Sequence, residues 1–114
     1  MRDPKERLRD ILQAIEAIDR YRACERGEFD QNEMLQVRFL RHLQTIGEAA
    51  RHVPDEVRGM APHIPWNKII GMRNILVHGY FTIDLDIVWD AVQQDVPLLK
   101  PAVVALLKQL ETQA

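Results

Sequence analysis

Apolar residues recur at intervals of three and four along most of this 114-residue chain, and alternation of the β type is scarce. Such spacing lines apolar side chains along one face of a helix, so it predicts an all-α fold. Asp3 is placed as an N-cap, with Pro4 at the first helical position and Glu6 three residues after the cap. Leu8, Ile11, Leu12, Ile15 and Ile18 then form the apolar stripe of a first helix that ends near residues 23–26, before Gly27. A second helix is expected to start at Asp30, with Glu33 as its capping-box partner, and to carry Leu35, Phe39, Leu43, Ile46, Ala50 and Val53. Pro54 closes it or opens a short helix through Arg58, and residues 59–65 form a Pro-punctuated connector. A third helix begins at Pro65, buries Trp66, Ile69, Ile70 and Val77, and ends at Gly79. Thr82 or Asp84 caps a last helical region to about Leu110, where Pro97 and Pro101 predict a kink or two helices in tandem. The expectation is a single domain over 1–114, an up-down bundle of four to five helices.

Composition narrows the partners. With 46% hydrophobic and 28% charged residues the chain falls in the globular range. A net charge of −2 argues against a protein that coats nucleic acid by bulk charge and leaves room for a small positive patch. The charge is uneven, however. Residues 34–81 hold six basic against three acidic residues and all four His, whereas 82–114 hold two basic against five acidic. An anion is therefore best handled by the middle of the chain. The lone Cys24 excludes an intramolecular disulfide and a Cys-rich zinc site. No apolar run nears the roughly 18 residues that span a bilayer, and the charged start of the chain is unlike a signal peptide. The expected location is the cytoplasm. A chain this short buries a modest core, so a second copy would help stabilise it.

Within the middle region, Arg73, His78 and Tyr80 form the pattern Arg-x-x-x-x-His-x-Tyr. A His can take the proton of an RNA 2′-OH or return one to the leaving 5′-oxygen. An Arg can stabilise charge on the phosphoryl oxygens. Together they suffice to cleave a phosphodiester without metal or other cofactor, and the 2′-OH requirement selects RNA. Five positions put Arg73 and His78 about 140° apart on an ideal helix. Either the helix unwinds near His78 and Gly79, or a second copy completes the site. A structural alternative stays open: Arg73 as an ordinary buried pair with Glu48 or another carboxylate, His78 as a capping residue and Tyr80 as a core-edge phenol.

The segment from Ile64 to Phe81 strongly resembles the HepT-like branch of the HEPN superfamily. Ile46-Gly47-Glu48-Ala49-Ala50 resembles that family's Ile-Gly-Glu-Ala stretch, and Val88-Trp89-Asp90 its Val-Trp after the motif. The resemblance covers essentially the whole chain, with the motifs in the family's order. It implies a HEPN-like bundle that forms a homodimer, with Arg73 and His78 facing a cleft between protomers. It also implies a toxin of a toxin–antitoxin pair that cuts RNA such as tRNA or mRNA. Its partner would be a minimal nucleotidyltransferase antitoxin able to transfer AMP to Tyr80, blocking the cleft with bulk and negative charge. Two other classes compete: a non-catalytic module that holds a nucleotide and docks the nucleotidyltransferase, and a structural subunit whose motif knits the dimer.

Neighbouring residues carry weaker expectations. Glu48 can orient Arg73, and Asn74 can hydrogen-bond a phosphate or cap the helix end. Arg38 and Arg41, one turn apart, either line the RNA path or form a solvated face. His42, His52 and His63 lack metal-ligand spacing, which favours a surface role. Trp66 and Trp89 are expected as core anchors.

Overall fold

The structure is a computed structural model that describes residues 3–78 and 84–113, the side chains of 74–78 excepted. Every regular element among the described residues is helical. The first helix, α1, runs Pro4–Arg22 and opens as its sequence dictates: the Asp3 side chain accepts from the Lys5 N–H, with Pro4 at the start. Its stripe of Leu8, Ile11, Ile15 and Ile18 is fully buried.

The next start differs from the expectation. Asp30 does not cap a helix; it belongs to a short α2, Arg26–Gln31, where it pairs with Arg26 at 2.8 Å. The cap of α3, Glu33–Arg51, is Asn32, whose side chain accepts from the Leu35 N–H at 3.0 Å. Gly27, expected beyond a helix end, lies inside α2. The extra turn seats Phe29 in the core between Phe39 and Trp89, at ring separations of 5.9 and 5.3 Å. Burial of one large aromatic therefore outweighs the local signals for a loop.

Pro54 precedes a one-turn α4, Asp55–Gly59. Helix α5, Trp66–His78, starts directly after Pro65. The Trp66 indole N–H donates to the Ala61 carbonyl at 3.1 Å, tying the connector to the helix. Trp66 and Ile69 are buried as the periodicity requires, Ile70 is half-buried, and Met72 joins the core. The side chain of Val77 lies outside the described residues.

Asp84 caps α6, Leu85–Asp90, accepting from the N–H groups of Asp86 and Ile87. A π turn, Ala91–Asp95, then leads without a break into α7, Val96–Thr112. The apolar stripe explains the π turn. Val88, Val92 and Val96 follow two successive steps of four, each overshooting an α-helical turn by about 40°. The wider turn takes up that overshoot and keeps all three valines buried. Pro97 follows the π turn at the start of α7 and Pro101 lies in its body, so both fall within continuous helical backbone.

Side-chain bridges give the topology. Arg9 meets Glu111, Asp19 meets Lys100, and the Arg22 carbonyl accepts from Gln93, so α1 and α7 run antiparallel. Helix α3 lies between α1 and α5. The result is the expected all-α bundle, with seven α-helical segments and a π turn among the described residues in place of the four to five helices that the spacing predicts. No helix among the described residues is long and apolar enough to cross a membrane.

Candidate functional site

The candidate site is built at a close approach of α3 to α5. A Cβ placed on Gly47 would lie 3.0 Å from the Arg73 backbone nitrogen, 3.1 Å from the Ile69 carbonyl oxygen and 3.2 Å from the Arg73 Cβ. Those atoms belong to the body of α5 and cannot rotate aside, so a residue without a side chain is what permits the approach. It brings the next residue, Glu48, onto Arg73: the Arg73 Nε donates to Glu48 Oε2. The other carboxylate oxygen accepts from His52 Nε2 at 3.1 Å and lies 3.8 Å from Arg51. Partial burial pushes the Glu48 carboxyl up. The His52 hydrogen bond and the charges of Arg73, Arg51 and His52 outweigh this, and the group lies below the usual carboxylate range.

This ion pair is not the buried one that a purely structural reading requires. The Arg73 and Glu48 side chains are 35% and 42% exposed, and both line an open groove of about 460 Å³ between α1, α3 and α5. Arg7 and Asp10 of α1 and Arg41, Gln44, Thr45 and Ala49 of α3 complete its walls. Positions 34, 38, 41, 45 and 48 of α3 and its C-cap, His52, alternate steps of four and three, so they fall on one face opposite the core stripe. His42, at the edge of that face, is held below the ordinary imidazole range by burial and then by the charges of Arg38, Arg41 and Arg20.

Of the residues singled out from sequence, Arg73 and Glu48 meet directly. His78 and Asn74 enter only through the helical backbone of α5, and their side chains lie outside the described residues. Tyr80 is outside the described residues altogether. The backbone is helical as far as His78, so α5 does not unwind before that residue. The three remaining His are dispersed, and among the described residues no group of three His, Cys, Asp or Glu is placed to hold a metal. Trp66 and Trp89 both pack against the core. Two participants escape a sequence reading. His52 as the Glu48 partner is signalled only by its spacing of four. Arg7 has no local signal, because its place beside α3 depends on how α1 packs.

The family model described as ribonuclease HepT-like matches residues 11–106. A Methanocaldococcus jannaschii protein named "Putative RNase MJ1380" is 40% identical over 103 residues, covering 90% of this chain and 94% of the relative. A Thermococcus cleftensis protein named "Probable ribonuclease HepT" is 36% identical over 100 residues, covering 87% and 91%. No solved structure matches the chain. Both the family match and the relatives span the α3–α5 site, and the chain belongs to the HepT-like ribonuclease family.

Proposed function

We propose that this protein is a metal-independent endoribonuclease, the toxin of a toxin–antitoxin pair, acting in the cytoplasm as a homodimer. The observation that supports it best is Arg73: a cation of the motif held by a carboxylate at the edge of an open groove instead of in the core. His78 accepts the proton of the RNA 2′-OH. The 2′-oxygen bonds to phosphorus, the bond from phosphorus to the 5′-oxygen breaks, and the leaving oxygen takes up a proton. The products are a 2′,3′-cyclic phosphate and a 5′-OH. Arg73 offsets the charge that builds on the non-bridging oxygens, and Glu48 holds its guanidinium in place. Asn74 contacts the same phosphate. Because one chain's Arg73 and His78 are about 140° apart around α5, a second copy across a shared cleft brings the two functions onto one phosphodiester.

Regulation in this reading falls to a minimal nucleotidyltransferase. The Tyr80 oxygen attacks the α-phosphorus of ATP, pyrophosphate leaves, and the attached adenylate fills the cleft. Two measurements test the proposal. Arg73→Ala and His78→Ala should each abolish RNA cleavage while fold and dimer persist, and a chelator should leave the wild-type rate unchanged. Cleavage at the wild-type rate by either variant refutes the assignment, and loss of activity with chelator refutes the metal-free mechanism. Mass spectrometry after coexpression with the neighbouring gene product should show added adenylate on Tyr80.

A further inference from the structure

Resting on the ribonuclease reading, we infer that the outward face of α3 is a track for single-stranded RNA leading away from the cleavage site, with Arg7 and Arg41 as phosphate contacts and Arg38 over Tyr21 as a base-stacking platform. Among the described residues six of the ten arginines sit beside a carboxylate, Arg51 and Arg73 sharing Glu48. Arg9, Arg22, Arg26, Arg51, Arg58 and Arg73 each pair with a carboxylate. Among the described residues Arg7 and Arg41 make no ion pair, yet both line the groove that holds Arg73. The acids there are engaged: Glu48 with Arg73, Arg51 and His52, and Asp10 with a partner of its own. Two unneutralised guanidinium groups beside a phosphodiester site fit a strand's backbone charge.

The path continues. Arg41 also lines a second groove with Met34, Val37, Arg38, His42 and one carboxylate, Glu33, so the two grooves join at Arg41. At its end the Arg38 guanidinium lies 4.6 Å from the centre of the Tyr21 ring, which is 44% exposed. Met34 and Val37 are exposed beside it. From Glu48 to Met34 is 14 residues, about 21 Å along the helix. A cationic groove with an aromatic residue along it is how proteins hold single strands without reading sequence.

The test uses the full chain carrying His78→Ala, so that RNA is bound without being cut, and follows anisotropy of a labelled single-stranded oligoribonucleotide against salt. Each phosphate contact on a single strand contributes about 0.7 to the slope of log K against log salt. Arg7→Gln with Arg41→Gln should lower the slope by about 1.4, whereas Arg9→Gln, away from the groove, should leave it unchanged. Arg41→Lys should retain most of it. Tyr21→Leu should weaken binding about tenfold with little change in slope, since stacking carries no counterion release. In the cleaving protein the paired Arg variant should raise KM far more than it lowers kcat. A parental slope retained by that pair, with binding intact, overturns the track and leaves the ribonuclease reading standing. A wild-type protein that does not cut RNA, together with a His78→Ala parent that does not bind it, overturns both. Variants that change the oligomeric state and not the RNA slope reassign the face to a protein contact and likewise overturn the track.

Discussion

Gly47→Ala isolates the contact on which the site depends. The new methyl would stand 3.0–3.2 Å from two backbone atoms and the Cβ of α5, so α3 and α5 must separate by a few tenths of an ångström. Such overpacking costs about 1–3 kcal/mol. The same substitution removes a helix-interior glycine, which favours the folded state by about 0.5–1 kcal/mol. The balance is a destabilisation of about 1 kcal/mol, a fall in Tm of about 4 °C for a chain of this size. Gly71→Ala supplies the reference. It lies within α5, and a methyl added there would meet nothing within 4 Å, so only the propensity gain remains and stability should rise by about 0.5–1 kcal/mol. Urea or thermal unfolding followed by circular dichroism measures both, and their difference gives the overpacking cost by itself. Because the strained atoms include the Arg73 backbone, Gly47→Ala should also lower RNA cleavage by tenfold or more, through displacement of the guanidinium. Equal stabilisation by both alanines, with full cleavage by Gly47→Ala, would refute the claim that glycine spacing sets the Arg73 position.

Other outcomes follow from the same geometry. Glu48→Gln should cost under about 1 kcal/mol of stability, because the pair is well exposed to solvent, yet reduce cleavage about tenfold by releasing Arg73. Since the folded state depresses the Glu48 carboxyl, its stabilisation is fully present above the unfolded value near 4.3 and is lost as pH falls through the folded one; unfolding free energies at pH 7 and pH 3 should differ less in Glu48→Gln than in the wild type. His42 is depressed as well, so the unfolded chain binds its proton more readily and stability rises with pH until the unfolded value near 6.5 is passed. His42→Gln should flatten that rise, read from urea midpoints between pH 5 and 7.5. Phe29→Ala should cost about 3–5 kcal/mol, since the ring is fully buried between Phe39 and Trp89, and chemical denaturation should show most of the stability gone.

The sequence announces the long helices because their apolar stripes are local and regular. It misplaces the start of α3 because Asp30 and Asn32 are both good caps. The choice between them is made by Phe29, whose partners Phe39 and Trp89 are 10 and 60 residues away. The π turn hides in the steps of four from Val88 to Val96, which look helical until the overshoot is summed. Within the site, Glu48 stands out as a charge inside an otherwise small and apolar stretch, so its pairing with Arg73 can be anticipated. Arg7 cannot, since nothing along α1 distinguishes it from Arg9 until α3 is packed beside it.

That same π turn also bears on chain length. A π turn is an α-helix carrying one residue too many, and removing one position from Ala91–Asp95 would restore an unbroken α ladder without rotating the buried face of α7. Asp95, the last residue of the π turn, makes a 3.0 Å contact with Lys68 on α5 that such a deletion would put at risk. Here the bundle can gain or lose a residue while its core stays in register, and the exchange is a surface ion pair.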